Sequence, residues 1–149
     1  MRIFITALIA PIAASLLFST NAAAECQGSQ NLPSQQFFVA FPPNSHEISE
    51  SEQIRIGQWI STMNSKHPIQ KWIDVIGSAS KNEDEPERLA TKRASVTAKV
   101  VIDDGLINAP LQIKTQIYPA NRTTESTSET HEVIVQVSPG CVDNCCTGH

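Results

Sequence analysis

The chain has 149 residues, four cysteines and a formal charge of −4. That length holds one domain with a modest core and not two. The acidic balance argues against nucleic acid or an anionic membrane surface as the main partner.

Residues 1 to 24 read as a signal peptide. Met1-Arg2 gives a positive start, Ile3 to Phe18 is apolar, and Ala22-Ala23-Ala24 supplies a small-residue cleavage site. The apolar run is short for a membrane span, which needs roughly 20 residues, and Pro11 interrupts it. Glu25 stands where a lipidation signal before Cys26 would need a small residue. The mature chain is therefore expected to start near Glu25, without a lipid and without a transmembrane segment. Losing Arg2 takes its formal charge from −4 to about −5. The expected destination lies outside the cytoplasm.

Cys26 lies at the start of the mature chain, while Cys141, Cys145 and Cys146 crowd its end. In an oxidising compartment this even count reads as disulfides. A bridge between adjacent Cys145 and Cys146 is sterically awkward. Cys26 tied to the tail, with a small loop closed inside the tail, is favoured. The pattern Cys141-x3-Cys145-Cys146-x2-His149 also suits zinc or copper, so a metal or thiol-redox role stands as a minor alternative.

In chain order, residues 25 to 35 form a polar lead-in, and Gln36 to Phe41 reads as a buried strand. Pro42-Pro43-Asn44-Ser45 breaks it. Ile56, Trp59, Ile60 and Met63 recur at helical spacing, which predicts a helix from Ser49 to Asn64. Ser49 and Glu52 have capping-box spacing, and Pro68 lies past the end. Trp72 to Ile76 is a second strand stopped by Gly77, and Ser78 to Glu85 is a polar loop ending in acids.

Pro86 opens a second helix that runs to about Asp103, with Leu89, Arg93, Val96 and Val100 on one stripe and Val101 beside it; Asp104-Gly105 ends it. Leu111 to Tyr118 alternates as a strand with one buried face, as does Glu132 to Val137 after a polar stretch. The order is β-α-β-α-β-β. It predicts an α/β (α+β) fold, a mixed four-stranded sheet with both helices on one face, over residues 36 to 137. The close final pair of strands suits a hairpin. Residues 138 to 149 form a cysteine-rich tail.

No Gly-rich phosphate loop, HExxH or Gly-x-Ser-x-Gly is present, so the chemistry points to binding and not to catalysis, with no cofactor. His46 and His67 lack an acid or nucleophile at a telling spacing, and Asp74 reads as part of the solvated face of its strand. Arg93 is the unusual residue. An arginine on a sheet-facing stripe either reaches out to water at the stripe's edge or is buried with a partner.

Ile73-Asp74-Val75-Ile76-Gly77-Ser78-Ala79-Ser80, an acidic loop, Leu89-Ala90-Thr91-Lys92-Arg93-Ala94 and Gly105-Leu106 together resemble the C-terminal domain of the outer-membrane protein A (OmpA) family. Phe38 to Phe41 followed by Asn44-Ser45 resembles its first strand. The resemblance implies a β-α-β-α-β-β domain in a Gram-negative envelope that binds peptidoglycan through the diaminopimelate of the stem peptide. It implies Arg93 as the grip on a carboxylate through its planar fork. The family's ammonium-binding aspartate falls at Ser80, a departure shared with a Gly-x-Ala-Ser subset, and its usual asparagine is Pro86. Asp84, in the same loop, is the alternative acid. These departures keep a rival open, an envelope assembly or interaction protein that has the fold without the ligand.

Overall fold

The computed structural model describes residue 26, residues 28–120 and residues 128–146. The expected signal peptide, most of the polar stretch after Tyr118 and His149 lie outside the described residues. Four strands and two long helices follow in the order β1 (Gln35–Ala40), α1 (Glu50–Lys66), β2 (Gln70–Ser80), α2 (Pro86–Asp103), β3 (Leu111–Tyr118) and β4 (Glu132–Pro139). The fold is α+β, with one mixed sheet in the order β1-β4-β2-β3.

The register shows how the chain closes. β4 inserts between β1 and β2 and runs antiparallel to both, with Val133 opposite Val39 and Val135 opposite Val75. β2 and β3 pair in parallel, joined by the α2 crossover. The expected β3–β4 hairpin does not form. Burial explains the choice: Val133, Val135 and Val137 are wholly buried, whereas Ile113 on β3 stays 48% exposed. The most apolar strand takes a central position and β3 takes an edge.

Both helices cover one face of the sheet. Ile56, Ile60 and Met63 of α1 and Ala94, Ala98 and Val101 of α2 join Val39, Ile73, Val75 and the β4 valines in one core. The Ser49 hydroxyl accepts from the Glu52 amide at 3.2 Å and caps α1. Gly105, at φ 91°, turns the chain after α2, in a backbone region that favours glycine.

Gly77 does not stop β2. The strand continues to Ser80, because the missing side chain lets α2 press onto the sheet. A Cβ there would lie 2.1 Å from the Ala90 carbonyl oxygen and 2.9 Å from the Ala94 Cβ. The loop before α2 is therefore shorter than Ser78 to Glu85, and both Ser78 and Ser80 are buried strand residues. Asp74 lies on the face away from the helices. It is nonetheless 6% exposed, and Lys114 of β3 meets its carboxylate at 2.8 Å.

The tail is fixed to the opposite end of the sheet. Cys26 joins Cys145, and Cys141 joins Cys146. Bridges of Ser29 to Cys146 and Asn31 to Gly140 carry the lead-in alongside the tail. All four sulfurs are thus used in disulfides, and none of the four is a thiolate for a metal or for thiol exchange.

Candidate functional site

At the C-terminal end of β2 the chain gathers Arg93 from α2, the β2–α2 loop, the turn after β1 and the residue before β4. Arg93 does not reach out to water. It is the largest fully buried side chain among the described residues, with 0% of its surface exposed. Close packing at Gly77 holds its helix against the sheet, so its stripe position faces inward.

A buried guanidinium needs acceptors for five N–H donors. Arg93 has all five. Nε donates to the Ser45 carbonyl at 2.7 Å, and Nη1 donates to the Ser78 carbonyl at 2.9 Å. Nη2 donates to the Pro42 carbonyl at 3.1 Å. The remaining two donors form a fork on Glu83, at 3.0 and 2.6 Å from its two carboxylate oxygens. The Phe41 ring lies 5.5 Å from the guanidinium carbon and closes one face.

Glu83 is held equally well. Its oxygens accept from the Asn44 amide at 2.8 Å and the Ser80 amide at 2.9 Å. The His131 Nδ1 lies 3.2 Å from Oε2. Burial alone would push this carboxyl up. The Arg93 hydrogen bonds, the Ser80 and Asn44 amides and the guanidinium charge outweigh it and hold the group at about 2, against 4.5 for a free glutamate. The carboxylate is ionised throughout the physiological range.

Of the three residues expected to meet a ligand, the fold brings Arg93 and Ser80 together and leaves Asp84 apart. Ser80 is buried, its amide on Glu83 and its hydroxyl accepting from the Asn82 amide at 3.2 Å. Asp84 is exposed; its amide donates to the Asn44 side chain, and the residue lines a different depression with Arg88 and Lys92. Beside the buried pair a cavity of about 270 Å³ is lined by Asn44, Ser80, Asn82, Glu83, Thr130 and His131, with Pro43. Sequence reasoning missed Glu83, Asn44 and His131. The signal for Glu83 was present: an arginine on an apolar stripe calls for a carboxylate, and an acidic loop precedes its helix.

No family model and no curated protein matches this chain. Solved structures do match. The periplasmic domain of Helicobacter pylori MotB superposes with a TM-score of 0.56 at 16% identity, over 74% of this chain and 75% of that one. The OmpA-like domain of FopA1 from Francisella tularensis gives 0.50 at 19% identity, over 72% and 73%. The fold is that of an OmpA-like domain. The peptidoglycan-associated lipoprotein of Burkholderia pseudomallei has the same OmpA-like architecture, with a TM-score of 0.51 at 18% identity over 67% of this chain and 86% of that one. At these identities the likeness is one of fold, and the OmpA-like frame says nothing by itself about Arg93.

Proposed function

We propose that the mature chain is a non-catalytic OmpA-like domain of the periplasm that acts by binding within the cell envelope, and that Glu83 fills the carboxylate seat at Arg93 from inside the chain. One observation carries this reading: every donor of Arg93 is satisfied internally, two of them by Glu83. A stem-peptide carboxylate would have to displace an anion held by two main-chain amides and an arginine fork. In this reading Arg93 is a keystone of the fold, and the domain serves as an envelope interaction module. The two disulfides and the export signal read in the sequence support a periplasmic address.

A second reading is favoured by the cavity beside Glu83. In it the domain binds peptidoglycan, the association that the Burkholderia neighbour carries in its name, and Glu83 swings out so that Arg93 takes the diaminopimelate carboxylate with Ser80 as a lesser contact. Titration of labelled protein with free diaminopimelate, followed through the Ser80 and Asn44 amide resonances, separates the two. Under the first reading the wild type is silent and Glu83→Ala responds. A saturable response of the wild type at those amides overturns the closed seat and establishes the second reading.

A further inference from the structure

The sheet face away from the helices carries a second chemistry, remote from Arg93. Its register sets Gln36, Gln136, Asp74 and Gln112 in one row across all four strands. The next row holds Phe38, Ile134, Ile76 and Lys114. Trp72 stands beside the polar row on β2. Eight residues of strand separate Trp72 from Ser80, roughly 26 Å at strand rise, so the two sites do not overlap.

Trp72, Asp74, Gln112 and Lys114 line one shallow depression of about 420 Å³, within the size range of small-ligand sites. Trp72 is 38% exposed, and neither its indole N–H nor the Gln112 amide has a hydrogen-bond partner among the described residues. Asp74 and Lys114 pair at 2.8 Å, so the depression has no net charge but offers both an acceptor and a donor. Along the same row the Gln36 amide donates to Gln136 at 2.7 Å.

We infer that this depression is a binding site for a saccharide. A sugar ring has an apolar C–H face, which an exposed indole can cover, and a rim of hydroxyls that both donate and accept. The free Gln112 amide, the Asp74 carboxylate and the Lys114 ammonium match that rim. The neutral pair suits an uncharged ligand. A protein surface fits less well: interface centres are depleted of charged residues, and an apolar partner would strip water from the half-exposed Lys114 ammonium without replacing its hydrogen bonds. Hydroxyls replace them.

The test is tryptophan fluorescence of the mature protein titrated with an N-acetylglucosamine tetramer, a cellulose tetramer and purified sacculi. The expected result is a saturable change with sugar that persists in Trp59→Phe and disappears in Trp72→Ala, with affinity about 10-fold weaker in Gln112→Ala. Response to the tetramers but not to sacculi assigns a free oligosaccharide; response to the N-acetylglucosamine tetramer and sacculi assigns a wall glycan. No saturable change up to about 10 mM of either tetramer, and none with sacculi, overturns the proposal. So does a wild type that sediments as a dimer and a Trp72→Ala variant that sediments as a monomer, both blind to sugar, which would make this face a protein interface.

Discussion

The Glu83 carboxylate and the Arg93 guanidinium meet through two hydrogen bonds of 2.6 and 3.0 Å, with side-chain exposures of 4% and 0%. The pair spans only ten positions, yet it ties the β2–α2 loop to α2 and, through the carbonyls of Pro42 and Ser45, to the turn after β1. Removing one partner leaves a buried charge uncompensated. Arg93→Leu is expected to cost about 3–5 kcal/mol in urea unfolding. The double change with Glu83→Leu should recover part of that loss, because no stranded charge remains. A double variant whose loss equals the sum of the Arg93→Leu and Glu83→Leu losses would show that the two residues act independently.

Acid should act through the same pair. A carboxylate held at about 2 in the folded chain, against 4.5 when free, contributes its full stabilisation above pH 4.5. That contribution fades as pH falls from 4.5 towards 2, when the unfolded chain takes up the proton first. The charged or titratable groups facing Glu83 are Arg93 from α2 and His131 from the residue before β4. The wild type is expected to lose roughly 3 kcal/mol across this window through Glu83. Glu83→Gln should start lower at pH 7 and show a shallower acid slope, measured by denaturant midpoints at each pH.

Gly77 tests how closely α2 must sit. An added Cβ meets the Ala90 carbonyl oxygen at 2.1 Å, and that oxygen belongs to helix backbone that cannot rotate away. Gly77→Ala is therefore expected to push α2 outward and to cost at least about 1–3 kcal/mol, the range for overpacked sites. Because α2 carries Arg93, the same change should raise exchange at the Ser80 amide. An unchanged melting temperature would mean that the helix moves freely over the sheet.

These contacts explain what could be read from the sequence. Periodicity located both helices: Ile56, Ile60 and Met63 share one side of α1, whereas the buried side of α2 runs through Leu89, Arg93, Ala94, Ala98 and Val101, with Val96 and Val100 only partly buried at its edge. It failed at strand neighbours. Alternation shows that a strand has a buried face but not which strand lies beside it, so the position of β4 between β1 and β2 was invisible. Gly77 read as a stop, since a glycine in a strand gives the same local signal whether it ends the strand or admits a helix. At the site, Arg93, Ser80 and Asp84 stood out in the sequence as candidate ligand contacts, but Glu83, the acid that meets Arg93, did not. Glu83 and its neighbour Asp84 carry the same charge in the same loop, and the partners that set Glu83 inward, Arg93 and the Asn44 and Ser80 amides, come together only in the fold.

The disulfides should contribute unequally. Cys26 and Cys145 are 119 residues apart, whereas Cys141 and Cys146 are five apart. On loop-closure entropy the long bridge stabilises by about 5 kcal/mol and the short one by about 2. Replacing Cys26 and Cys145 by serine should lower the unfolding midpoint far more than replacing Cys141 and Cys146. Neither pair of changes should alter the Arg93 site, which lies at the other end of the sheet. Equal losses would show that the tail's own packing, and not closure of the long loop, sets the stability.

If Glu83 is an internal occupant of a carboxylate seat, an external carboxylate should be able to replace it. Glu83→Ala removes the anion but leaves the Arg93 fork and the Asn44 and Ser80 amides, which come from the main chain and survive the substitution. Acetate or propionate added to this variant is expected to raise its melting temperature in a saturable way. At ten times the dissociation constant the gain is about 1.4 kcal/mol. The wild type should show no such gain, because its seat is filled, and chloride at equal ionic strength should not substitute. Equal responses of variant and wild type would reduce the effect to general salt stabilisation. A response confined to the variant would mean that the seat recognises a carboxylate and that Glu83 keeps it closed.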